Sequence, residues 1–119
     1  MLSYFKWRHD TNEMMKYRNR NFNNLERLIE VHNIIVERPS EVRKEVMFMT
    51  LVKIDKQIDF YISETAKIEG IIRDFANNDL NKYGKHLYNN YMALKQELGE
   101  IIDTLRELRV GIEEQIKLK

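Results

Sequence analysis

A chain of 119 residues, 33% of them charged and with a formal net charge of +1, reads as one domain that can bury a core unaided. It has no bulk charge to draw it to nucleic acid or an acidic membrane. It has no cysteine, which excludes a disulfide framework and a thiolate metal site. No apolar run approaches the roughly 20 residues that span a bilayer, MLSYFKWRHD is too polar for a signal-peptide core, and the expected location is the cytoplasm.

Residues 1–11 differ in composition from the rest of the chain. Tyr4, Phe5 and Trp7 sit among Lys6, Arg8 and His9, an aromatic-basic arm that is either packed on the domain as an extra helical turn or offered to a partner. Thr11 and Asn12 suit a helix cap with Glu13 in the first turn, which predicts a first helix over 12–37. Its seam is Met15, Arg18, Phe22, Leu25, Ile29, His32 and Val36, dilute at the start and dense at the end. Arg38-Pro39-Ser40 breaks it, because proline turns the preceding residue away from helical geometry, and Ser40 is placed to cap the next helix.

That second helix, over 40–76, carries the strongest pattern in the chain. Met47, Leu51, Ile54, Ile58, Tyr61, Thr65, Ile68, Ile72 and Phe75 recur in steps of four and three, the coiled-coil signature. VMFMTLV, at 46–52, is apolar nearly all round, which predicts helices on two sides of it. Asn77-Asn78-Asp79 forms a polar turn with Asp79 as a cap, and a third helix over 80–117 repeats the four-three seam from Leu80 and Gly84 through Leu87, Tyr91, Leu94, Leu98, Ile101, Leu105 and Leu108 to Ile112. Folding the hairpin back at Asn78 sets Phe75 against Leu80, Ile72 against Gly84 and Tyr61 against Leu94.

The expected fold is therefore all-α: an elongated antiparallel three-helix bundle, coiled-coil-like, with a short N-terminal helix as a possible fourth element. The first helix comes out about ten residues shorter than the others, roughly 15 Å at 1.5 Å per residue. The hairpin tip then lacks a third helix, and either the arm or a partner must cover it.

Catalytic chemistry finds little support in the residues. None of His9, His32 or His86 follows a glutamate by three, so the Glu-x-x-His pairs of a di-iron bundle are missing. Ser3, Ser40 and Ser63 have no spaced His and Asp partners, and the scattered glycines make no phosphate loop. Neither a cofactor nor a metal is expected. Arg27-Leu-Ile-Glu-Val-His32 resembles the Arg-x4–6-His motif of the HEPN ribonucleases, also small all-helical domains. Over these six residues the resemblance implies that Arg27 steadies phosphate charge and His32 moves a proton on RNA. Residues 1–25 carry a local charge of +3 with interleaved aromatics, a mixture that can contact phosphates and stack on bases.

The leading expectation is a non-enzymatic helical protein–protein interaction module, a small cytoplasmic adaptor, chaperone or inhibitor. Its partner is another protein or a second copy in a homodimer, and its interface residues are Tyr4, Phe5, Trp7, Ile72, Phe75 and Tyr88, since aromatics anchor interfaces. The Asn, Lys, Ile and Tyr usage suits a bacterial or phage genome. The alternative is an RNA-acting or nucleic-acid-binding helical domain using Arg27 and His32.

Overall fold

The computed structural model describes residues 3–78 and 80–119. Three long helices account for nearly all of them: α1, Tyr4–Glu37; α2, Lys44–Ala76; and α3, Lys82–Leu118, with a single turn of 3-10 helix at Pro39–Glu41 between the first two. The described residues contain no strand. The result is an elongated all-α three-helix bundle of 58 × 22 × 16 Å.

The helix ends differ from expectation at three places. α1 starts eight residues early, at Tyr4 rather than Asn12, because nothing between the two breaks a helix. The Ser3 hydroxyl accepts from the Lys6 N–H at 3.2 Å and caps it. The arm is thus the first two turns of α1, which spans 34 residues against 33 in α2 and 37 in α3, and the expected length mismatch vanishes. Ser40 caps nothing: Pro39 opens the 3-10 turn and α2 begins at Lys44, after an extended Arg43 with no side-chain cap. α3 is capped by Asn81, whose Oδ1 accepts from the Gly84 N–H at 2.8 Å. The expected cap, Asp79, lies outside the described residues.

The path is up, down, up, so α1 and α3 run parallel. α3 is the central helix: it packs along both others, while α1 and α2 touch each other at few points. Accordingly α3 buries a wide stripe, including Leu94, Leu98, Ile101, Ile102, Leu105, Leu108 and Ile112, whereas α2 buries a narrow one of Met47, Thr50, Ile54, Ile58, Tyr61 and Ile68. A helix covered on two sides needs the broader apolar face.

The α2–α3 pairing uses the expected faces in a different register. Phe75 stacks against Tyr91, ring centroids 5.9 Å apart, and not on Leu80. Arg109 reaches Asp55 at 2.7 Å and Lys95 reaches Glu69 at 3.5 Å, marking the same offset. α3 is slid along α2 by roughly a heptad. A seven-residue repeat presents the same faces after such a slip, and the chain between Ala76 and Lys82 is long enough to make it.

α1 buries a different stripe from the one its apolar residues suggest. Met14, Asn21, Leu28 and Ile35 face the core, a strict seven-residue repeat one position before Met15, Phe22, Ile29 and Val36. Met15, Phe22 and Val36 are exposed. The contact that selects this register is polar: the Tyr61 hydroxyl donates to Asn21 Oδ1 at 3.2 Å, inside the core. Arg18 adds a bond from Nε to Glu97 Oε2 of α3 at 2.9 Å.

The Val46–Val52 segment also departs from expectation. Met47 and Thr50 are buried, but Val46, Phe48, Met49 and Val52 are exposed. α3 covers this end of α2, and α1, which meets α2 at few points, leaves these four side chains uncovered.

Candidate interaction groove

Because α1 and α2 are splayed about α3, a groove runs between them along one face. Its wider section is a cleft of about 570 Å³ with Leu28, Thr50 and Tyr61 at the floor and Val31, Gln57 and Phe60 on the walls. Helical spacing explains the lining: Lys53, Gln57 and Phe60 follow one another at four and three on the flank of α2 next to its buried stripe, and Asn24, Arg27 and Val31 do the same on α1. Val46 and Met49 continue the α2 row toward the 3-10 turn. Phe60 is 50% exposed although its ring edge packs on Tyr61, centroids 5.3 Å apart. The floor polar groups are internally bonded, Tyr61 to Asn21 and the Thr50 hydroxyl to the Val46 carbonyl at 2.8 Å.

Arg27, Lys53 and Lys56 also line this section. No carboxylate lines it with them, and none of the three forms an ion pair among the described residues. The narrower section, about 300 Å³, continues toward the other end between Met14, Tyr17, Ile68 and Ile71. Here the charged lining is Asp10, Glu13 and Glu64 with one lysine, Lys67. The groove is basic at one end and acidic at the other. Burial pushes the Tyr17 phenol up to about 12 and raises Tyr61 as well, so both are neutral hydroxyls at physiological pH. Among the described residues none meets hydrogen-bond geometry with the buried Tyr17 hydroxyl, though Asn21 and Glu64 lie near it.

The expected interface residues fall elsewhere. Tyr4 and Trp7 pack on the first turn of α3: the Tyr83 ring lies 5.8 Å from Tyr4 and 5.6 Å from Trp7, and His86 lies 6.3 Å from Trp7. Phe5 touches Tyr4 edge-on and stays 81% exposed. Ile72, Phe75 and Tyr88 are half-buried. Tyr4 and Trp7 thus cover the end of the bundle with the arm's own rings, leaving Phe5 outward.

Arg27 and His32 do not converge. Arg27 lines the groove toward α2. His32 turns the other way onto α3, so close to Gly111 that a Cβ there would stand 2.6 Å from its Nε2, and its Nδ1 lies 3.0 Å from Asn33 Oδ1. Five residues apart on a helix is well over a quarter-turn out of phase, which separates the two side chains. Among the described residues no three His, Cys, Asp or Glu side chains gather as a metal site would require, and no helix is long and apolar enough to cross a membrane.

The groove was not among the sequence expectations, which placed the open surface at the hairpin tip. The signal was present in two places: Lys53, Lys56 and Gln57 flank the seam of α2 where a closed contact would want small or apolar residues, and α1 sets Asn24 and Arg27 beside Leu28 and Val31 opposite. Compared with protein families, curated proteins and solved structures, the chain matches none of them.

Proposed function

We propose that the protein is a non-enzymatic helical interaction module whose binding face is the groove between α1 and α2. The observation that carries this reading is an exposed aromatic, Phe60, beside a 570 Å³ cleft floored by Leu28, Thr50 and Tyr61 and rimmed by three cations that form no ion pair among the described residues. Helix-in-groove recognition asks for these features: apolar side chains enter the floor and acidic ones meet the rim. The groove offers no nucleophile paired with a base, and the side chains of the ribonuclease-like motif point to different neighbours. An adaptor, chaperone or inhibitor role in the cytoplasm fits this surface.

A site-specific photo-crosslinker tests it. Placed at Phe60 in an extract of the cells that encode the protein, it is expected to give discrete protein adducts that the same group at exposed Gln96 of α3 does not. Equal or absent labelling at the two positions would overturn the reading. Adducts sensitive to nuclease rather than protease would replace it with the nucleic-acid alternative, for which Arg27, Lys53 and Lys56 supply phosphate contacts.

A further inference from the structure

We infer that the occupant of the groove is a second copy of this chain, laid antiparallel on the same face so that the basic half of each copy covers the acidic half of the other. The inference rests on the groove reading above and adds the identity of the partner.

Charge is distributed about the middle of the face, basic to one side and acidic to the other. The Asn21–Tyr61 bond marks where α1 and α2 are level, with Phe60 beside it. On α1, Arg27 lies six residues to one side of Asn21 and Glu13 eight to the other, about 9 and 12 Å at 1.5 Å per residue. On α2, Lys56 and Lys53 lie on the same side as Arg27, and Glu64 lies on the side of Glu13. A two-fold axis near Phe60 therefore carries each basic cluster onto the opposite copy's acidic one and brings the two Phe60 rings together. Self-complementarity of this kind is what an isologous interface requires.

The acidic residues are free to change partners. Asp10, Glu13 and Glu64 hold Lys6, Lys16 and Lys67 of their own helices at 3.2, 3.4 and 3.1 Å. Those lysines are largely exposed, and single pairs of this type contribute little. Among the described residues Arg27, Lys53 and Lys56 have no ion-pair partner to give up. The broad side of the molecule measures 58 by 22 Å, ample for the roughly 800 Å² per subunit of a standard stable interface. In the pair, the central Phe60 is the anchor and the charges set orientation and exclude other registers.

Light scattering on the full chain tests the inference. The wild type is expected at twice the 14.5 kDa of one chain, with dissociation promoted by salt. Phe60→Glu should be monomeric with helicity unchanged. Two charge-reversed chains then make the test independent of that one variant. One carries Arg27→Glu, Lys53→Glu and Lys56→Glu; the other carries Asp10→Lys, Glu13→Lys and Glu64→Lys. Each alone should be monomeric, and an equimolar mixture should return to the dimer mass. A monomeric wild type at several hundred micromolar, or a dimer indifferent to Phe60→Glu and to both reversals, overturns the inference. The crosslinker at Phe60 then separates the two failures: adducts to a different protein leave the groove reading standing, and no adducts at all remove both.

Discussion

The two contacts that α2 makes are built on different principles. Toward α3 it presents an aliphatic seam, Ile54, Ile58 and Ile68, in one core with Leu94, Leu98, Ile101, Leu105 and Leu108, bordered by the Arg109–Asp55 and Lys95–Glu69 pairs. Toward α1 it presents Tyr61, Thr50 and Phe60, and receives Asn21 and Asn24 in return, with Tyr17 farther along the groove. The aliphatic seam is closed on both sides and gains stability from area removed from water. The phenol–amide contact is open on one side and gains register, since a single buried hydrogen bond is satisfied in only one alignment. α1 is held mainly by α3, and its meeting with α2 is left for something else to complete.

Core truncation should show the largest difference between the two contacts. Leu98 is wholly buried on the closed seam, and Leu28 forms the floor of the open groove. Leu98→Ala should cost about 3–4 kcal/mol and Leu28→Ala about 2 kcal/mol, because the side chains around Leu28 can relax into a groove that is already open. Urea unfolding of both variants checks this, and equal losses would mean that the groove is closed in solution.

High pH should act on the phenol side next. The folded pKa values of Tyr17, Tyr61 and Tyr91 are raised, chiefly by burial. A raised phenol pKa means that the fold favours the neutral form. That contribution is present in full below the ordinary value near 10 and is lost as pH climbs from there through about 12, the folded value for Tyr17. Trp7, the one tryptophan, lies in α1 and reports on that helix by fluorescence. Its signal should change before the helicity of the α2–α3 hairpin falls, and Tyr17→Phe should move its midpoint to higher pH. Coincident transitions unmoved by Tyr17→Phe would contradict a weaker α1 contact.

Tyr61→Phe is a milder version of the same test. It leaves Asn21 Oδ1 buried without its donor and should cost about 1–2 kcal/mol. Tyr61→Phe combined with Asn21→Leu should recover much of that loss while relaxing the register of α1, visible as faster amide exchange in α1 alone.

The same contrast decides what could be read from the amino acids. The α2 and α3 seams were legible because aliphatic residues mark both of their faces at the four-three period. The slip between them was not, because a heptad repeat is indifferent to a shift of one heptad. The α1 stripe was misplaced because apolar residues occupy two adjacent registers: Met15, Phe22, Ile29 and Val36 outscore Met14, Leu28 and Ile35 as long as Asn21 is counted as polar. Only a partner 40 residues away, Tyr61, makes Asn21 a core residue, and no local pattern contains that fact. The groove was missed through the same gap, since it lies along the contact that side-chain hydrophobicity does not describe. The aromatic arm was legible as distinctive, but the seat of its rings was not, because Tyr83 and His86 receive them from α3, far along the chain.

The smallest effects expected come from two glycines that have no evident reason in the amino-acid pattern. In a helix interior glycine costs roughly 1 kcal/mol relative to alanine, so each should improve on replacement unless something occupies the space. A Cβ at Gly99 would meet nothing within 4 Å, whereas one at Gly111 would stand 2.6 Å from His32 Nε2. Gly99→Ala should therefore stabilise by about 0.5–1 kcal/mol. Gly111→Ala should be destabilising by about 1 kcal/mol, because the half-buried imidazole must leave its seat between α1 and α3. In a His32→Ala background that obstacle is gone, and Gly111→Ala should stabilise as Gly99→Ala does. The thermal shift in that double-mutant cycle reads the packing of α1 on α3 directly. A change of sign between the two backgrounds identifies His32 as a packing residue of that contact. The same sign in both would place its ring somewhere else and reopen its use in chemistry.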